Sequence, residues 1–148
     1  MIHLAKRFFG SLRRGGPADE AWALARLNDG ERALWVRMSD ADRRHAVGVA
    51  QSVPADLAVA ALLHDVGKVE SGLGTFARVG ATLLGAVRRD WGGRLGVYLR
   101  HDAIGAELLA QAGSAPLTVA WAREHHLPED RWTVPLDAGR ALKAADDD

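Results

Sequence analysis

Histidine and aspartate carry most of the chemistry available to this chain. Its six histidines are His3, His45, His64, His101, His125 and His126. Only His3 lies near the start; the other five are spread through the body of the sequence. In chain order they read His45, then His64-Asp65, then His101, then His125-His126, with Asp146 closing the series. Neutral imidazoles and carboxylates suit iron, manganese, zinc, nickel, cobalt or magnesium. The chain contains no cysteine, which excludes disulfides and thiolate sites, so any metal must be held by nitrogen and oxygen. There is no His-x-x-x-His pair that would place two ligands on one helix face. Such ligands would instead be collected from several helices, as in metal sites built in bundle cores.

The elements that would position these residues are helices. Alanine, leucine and arginine dominate, and all three are good helix formers. Aromatic residues are only 6% of the chain and β-branched ones are sparse, which argues against a sheet protein. The 148 residues fit one compact domain, with enough apolar sequence for a single sizeable core. Nineteen basic residues balance nineteen acidic ones, so charge gives no case for a nucleic-acid or anionic-membrane partner. No apolar run approaches a membrane span. Met1 to Gly16 mixes Ile2, Phe8 and Phe9 with Lys6, Arg7, Arg13 and Arg14, without the apolar stretch of a signal peptide. It reads as a basic N-terminal arm (1–16) packed on a domain over 17–148, in a cytoplasmic setting; a weak interfacial membrane anchor is the alternative.

Within the domain, helices are expected over Asp19 to Leu27, stopped by Asn28-Asp29-Gly30, and over Glu31 to Met38. Ser39 is an N-cap for a helix to about Val53 that carries His45. Ala55 to Asp65 is apolar almost all round, the mark of a buried helix. It ends in His64-Asp65, whose burial demands polar partners. Thr75 to Arg89 reads as helix and Asp90 to Gly93 as a turn. Leu95 to His101 and Ala103 to Ala112 read as helices broken at His101-Asp102. Ser114 and Pro116 open a helix carrying His125-His126. A loop over Leu127 to Pro135 precedes a last helix, Leu136 to Asp146.

On these residues the chain resembles the HD superfamily of metal-dependent phosphohydrolases. His64-Asp65-Val66-Gly67-Lys68 is similar to its HD-x-G-K motif, as found in the HD-GYP branch and in myo-inositol oxygenase. His101-Asp102-Ala103-Ile104-Gly105 resembles that branch's His-Pro-x-x-Gly element. His125-His126 resembles the start of its His-His-Glu, and Ala145-Asp146 the closing Ala-Asp. The likeness spans about His45 to Asp146. Leu127 stands in place of the glutamate, and the loop to Pro135 is too short for a Gly-Tyr-Pro segment, so cyclic-di-GMP hydrolysis is not implied. The alternatives Asp147 and Asp148 adjoin Asp146, and the Ala-Asp context favours Asp146.

The resemblance implies an all-α HD-domain bundle of about six to eight helices around a buried metal site. It implies a first ion on His45, His64, Asp65 and Asp146. Asp65 would bridge to a second ion on His101 and His125, with His126 a third ligand, a substrate contact or exposed. Two divalent ions, iron or manganese foremost, would activate a water for attack on a small phosphate ester. Lys68 would bind a phosphate oxygen, and Arg44 and Arg100, each preceding a ligand histidine, would also meet substrate phosphate. Glu124 and Glu129 are candidates for orienting the ligands from behind.

Taken singly, each of these residues has a plainer reading. A lone His45 or His101 is structural, His125-His126 suits a helix C-terminus, and Lys68 is ordinary near a helix end. The arginines form a solvated face, and the acidic tail is a solubilising end. The case for metal is their joint occurrence in one order. Two alternatives stay open: di-iron oxygen chemistry on the same ligands, and a non-catalytic signalling module. Substrate identity and a homodimer are also left open.

Overall fold

The computed structural model describes residues 16–71 and 100–148. The expected helix over Thr75 to Arg89, the turn at Asp90 to Gly93, the part of the expected Leu95 to His101 stretch up to Leu99, and nearly all of the basic arm lie outside the described residues. Among those described are seven α-helices and no strand, in line with the expected helical bundle. None of these helices is long and apolar enough to cross a membrane.

Local chemistry accounts for most helix starts. Helix α1 (Pro17–Leu24) opens on a proline, whose missing N–H is not needed there. Helix α2 (Asp29–Trp35) is opened by the residues expected to stop α1. The Asn28 side chain accepts from the Glu31 N–H at 2.8 Å, and the Glu31 carboxylate accepts from the Asn28 N–H at 2.9 Å. This reciprocal box satisfies two helix-end donors and turns a breaker into a start. The second Glu31 oxygen accepts from Ser114 Oγ at 2.7 Å, so the buried carboxylate also ties α2 to a distant turn. Helix α3 (Asp40–Gln51) starts at Ser39, whose hydroxyl accepts from the Asp42 N–H at 3.1 Å, as expected.

The apolar segment is not one helix. After Pro54 come a 3₁₀ turn, Ala55–Leu57, then α4 (Ala58–Leu63), then a second 3₁₀ stretch, Val66–Ser71. The tighter winding is visible in the Lys68 N–H, which bonds the Asp65 carbonyl at 3.1 Å. His64 and Asp65 therefore sit at a helix end. Helix α5 (His101–Gln111) begins at His101, so His101-Asp102 form its first turn and not a break. An acid in that turn suits the helix N-terminus. Helix α6 (Pro116–Glu124) starts on Pro116, and α7 (Leu136–Asp147) follows the expected loop.

Helix α4 is the hub. Ala58, Ala60, Ala61, Leu62 and Leu63 are all buried, between α3 on one side and α6 on the other. Helix α6 also packs on α5, and α7 lies against α3. Six residues are too few for a helix to hold itself. Each buried leucine contributes roughly 1.5–3 kcal/mol by leaving water, and Leu62 and Leu63 belong to the same core cluster as Trp121, Leu109 and Leu142. Of the five tryptophans, Trp35 and Trp121 are core, Trp22 and Trp132 are half-buried, and Trp91 lies outside the described residues.

One contact sets how closely the ligand-bearing ends approach. A Cβ on Gly67 would run into the His101 carbonyl and stand 2.7 Å from the Gly105 nitrogen, and one on Gly105 would meet Gly67 N at 3.0 Å. The backbones of the 3₁₀ stretch and α5 touch because neither glycine carries a side chain. Gly67→Ala is expected to lower the unfolding free energy by upwards of about 2 kcal/mol, since backbone must yield. Gly16→Ala, which meets nothing within 4 Å, should stay within about 1 kcal/mol of the parent. Urea denaturation of both variants checks this; equal midpoints would contradict the close-approach reading.

Candidate metal centre

Five elements deliver polar side chains to one buried place. Helix α3 contributes His45, the end of α4 contributes His64 and Asp65, α5 contributes His101 and Asp102, His125 and His126 follow directly on the end of α6 where the sequence predicts them within it, and α7 contributes Asp146. His64, Asp65 and His125 are buried, in a bundle whose other buried side chains are apolar but for Glu31, Thr118 and Glu124 among the described residues. Their backbone setting explains which ring nitrogen faces inward. His64 Nδ1 lies 2.7 Å from the Ala61 carbonyl, and His125 Nδ1 lies 3.2 Å from the carbonyls of Trp121 and Ala122. A carbonyl only accepts, so each Nδ1 holds a proton and donates it. Nε2 of each ring is thereby directed at the carboxylates, the arrangement that orients ligand histidines.

The inward atoms form two adjoining groups. Ligand atoms of His45, His64 and Asp65 all lie within 4.8 Å of one another, as do those of His101, Asp102, His125 and His126. Asp146 joins the first group: its Oδ1 is 2.8 Å from His45 Nε2 and 3.5 Å from His64 Nε2. Asp65 stands between the groups. Its Oδ2 is 3.6 Å from His64 Nε2, while its Oδ1 is 3.5 Å from His101 Nε2 and 3.6 Å from His125 Nε2. These separations exceed a hydrogen bond. They are close to the ~3.0–3.4 Å expected between donors sharing one cation at about 2.1 Å. His125 Nε2 is buried with no hydrogen-bond partner. An orphaned imidazole nitrogen aimed at two carboxylates is a poor structural device, because its burial is uncompensated. It fits a position that a divalent cation completes, and the residues of both groups could hold metal.

The charge balance points the same way. Burial works against an ionised Asp65, yet the imidazoles around it and Lys68 hold its carboxyl well below the usual range. Asp146 is lowered too, against burial, by His45 and His64. His64 is raised, since Asp65 and Asp146 outweigh the burial of its ring. His125 is lowered by burial. His101 is raised to about 9, because the carboxylates of Asp102 and Asp65 overcome the effect of burial.

The other expected residues have definite places. Asp146 is 18% exposed and faces His45, whereas Asp147 is 62% exposed and pairs with Lys143 at 2.8 Å; Asp148 is exposed. Lys68 Nζ is 2.5 Å from Asp65 Oδ2. His126 is 52% exposed, with Nδ1 2.9 Å from Asp102 Oδ2. Arg100 is exposed at the N-cap of α5. Arg44 lines a polar cavity with Asp19, Glu20, Asp40, Arg43 and Val47, none of which belongs to the two groups. Glu124 does not orient the ligands. Its carboxylate accepts from Thr133 N–H at 2.7 Å and from the Thr133 hydroxyl at 2.5 Å, closing the 127–135 loop. Glu129 pairs with Arg140 at the surface. Asp102, which sequence reasoning did not single out, stands in the second group; the signal available was an acid directly after His101, where the related element carries proline.

The carboxylates of Asp102 and Asp65 raise His101 to about 9 against its burial, so a metal ion bound through that ring would displace a proton. Apparent Mn²⁺ affinity should therefore rise roughly tenfold per pH unit toward that value and level off above it. Calorimetric titrations in buffers of different ionisation enthalpy measure the released protons; none released at neutral pH would contradict the assignment.

The comparisons with known proteins bear on this geometry. No curated protein and no solved structure gives a significant match. The family model for the HD domain matches residues 37–147. That span contains both ligand groups and three-quarters of the chain, and on it the chain belongs to the HD domain family.

Proposed function

We propose that the chain is a metal-dependent phosphohydrolase that acts on a nucleotide or another small phosphate ester with two divalent ions, iron or manganese. The observation that carries this reading is the position of Asp65. One carboxylate oxygen faces His64 and the other faces His101 and His125, which is what a carboxylate shared between two cations requires. Bound ions would supply Lewis-acid polarisation of a phosphoryl oxygen and a water-derived nucleophile at neutral pH.

The chain's own residues do the rest. His45, His64 and Asp146 would hold the first ion and His101 and His125 the second, with Asp65 between them. His64 and His125, whose Nδ1 atoms donate to backbone carbonyls, are oriented by the backbone itself, so these two donors are preorganised. Lys68 keeps its ammonium beside Asp65, where it offsets negative charge as an anionic substrate approaches. His126 and Arg100, both exposed, stand next to ligand residues in the chain and are assigned to substrate contact at the rim.

Protein loaded with Mn²⁺ or Fe²⁺ is expected to release phosphate from some member of a panel of nucleotides and phosphate monoesters. His64→Ala and Asp65→Ala should each reduce that release to background. Lys68→Ala should lower kcat by roughly 10²–10³-fold, the usual effect of removing one group that stabilises transition-state charge. Phosphate release that survives both ligand substitutions overturns the proposal. So does substrate-dependent oxygen uptake by the iron-loaded protein with no phosphate released.

A further inference from the structure

We infer that Asp102 is a carboxylate ligand of the second ion, held in place by His126, so that this position is built from two imidazoles and two carboxylates. The inference rests on the two-ion reading above and assigns a residue that reading does not contain.

Three observations converge on it. Asp102 Oδ1 is 2.8 Å from His101 Nε2 and 3.6 Å from His125 Nε2. Those are the same two nitrogens that face Asp65 Oδ1. Both imidazoles thus look at two carboxylate oxygens from different elements, the 3₁₀ corner after α4 and the first turn of α5. Next, the two oxygens of Asp102 have different partners: Oδ1 faces the buried nitrogens, and Oδ2 accepts from His126 Nδ1 at 2.9 Å. Ligating carboxylates are held in this way, with one oxygen on the cation and the other fixed by a donor from behind. Finally, His125 Nε2 stays unsatisfied although two carboxylate oxygens stand 3.6 Å away. A proton on that nitrogen would serve neither oxygen at this distance, whereas a cation among the three would serve all of them.

The plainer account makes Asp102 an acid placed at a helix N-terminus for its dipole. Such an acid turns to solvent. Asp102 is 27% exposed and turns toward three imidazoles. The consequence is chemical. A second carboxylate adds negative charge and a hard oxygen donor to a site otherwise served by two imidazoles and a shared oxygen, which moves its preference toward Mn²⁺ and Fe²⁺. It also gives His126 a positioning role: it acts on the ion through Asp102.

The test uses the full chain freed of metal and titrated with Mn²⁺. Uptake is read by equilibrium dialysis with elemental analysis, and ion–ion coupling by electron paramagnetic resonance. The parent chain is expected to bind two equivalents with a spin-coupled signal. Asp102→Asn should keep one tight equivalent, weaken the second at least about tenfold and show an isolated Mn²⁺ signal. His126→Ala should weaken the second ion by about tenfold while both still bind at high Mn²⁺, and it serves as the deciding variant if Asp102→Asn fails to fold. Second-ion affinity unchanged in Asp102→Asn, or in His126→Ala where that variant decides, overturns the inference. So does loss of both ions from a folded Asp102→Asn. A parent chain that binds one ion overturns the inference and the two-ion proposal but leaves a metal site standing; one that binds none takes the metal centre with it.

Discussion

An ionised carboxylate inside an apolar bundle is the constraint on which the rest of this structure depends. Asp65 sits at the end of the most buried helix, and its charge would be prohibitively costly there without compensation. The compensation is partly local and partly distant. His64 comes from its own corner, Lys68 from the 3₁₀ stretch that follows, His101 from α5 and His125 from α6. Helix α4 must therefore be surrounded by those particular elements, in an order that brings their ends together. The contact of Gly67 with α5 makes the approach close enough, because any side chain at that point would hold the two ends apart.

The carboxylate and its imidazoles are in turn set by groups that never face the centre. Backbone carbonyls at Ala61, Trp121 and Ala122 take the Nδ1 protons of His64 and His125. Each of these carbonyls lies three or four residues before its histidine, near a helix C-terminus, and that of Trp121 also accepts the His125 N–H at 3.0 Å. Helix ends thus do two jobs: they stop the element and they fix a ring. The buried Glu124 and Glu31 look like further members of a polar site, yet both serve architecture. Glu124 closes the 127–135 loop, which also receives Trp132 Nε1 on the Glu124 and Leu127 carbonyls. Glu31 joins the start of α2 to the turn before α6. An acid inside the bundle is therefore informative only through its partners: backbone N–H groups and hydroxyls for Glu31 and Glu124, and imidazoles for Asp102, Asp146 and, with Lys68, Asp65.

Much of this molecule is legible from local chemistry. The all-helical class follows from composition, the start of α3 from Ser39, the burial of 58–63 from its unbroken apolar run, and the family from motifs that stay short and contiguous. The inventory of donors is equally local, since residue type alone decides that nitrogen and oxygen, and no thiolate, are on offer. What tertiary structure decided is which of those donors share a place. Asp146 and Asp147 are chemically identical neighbours, and only the packing of α7 on α3 turns the first inward to His45 and leaves the second to Lys143. Asp102 read as a helix breaker until α5 and α6 set it among three rings. Arg44, beside a ligand in the chain, lies on another face of its helix because successive residues there point about 100° apart. Propensity and capping act over a few residues, so sequence determines them. A shared centre depends on helix crossings and side-chain directions summed over distant segments, and those exist only once the chain has folded.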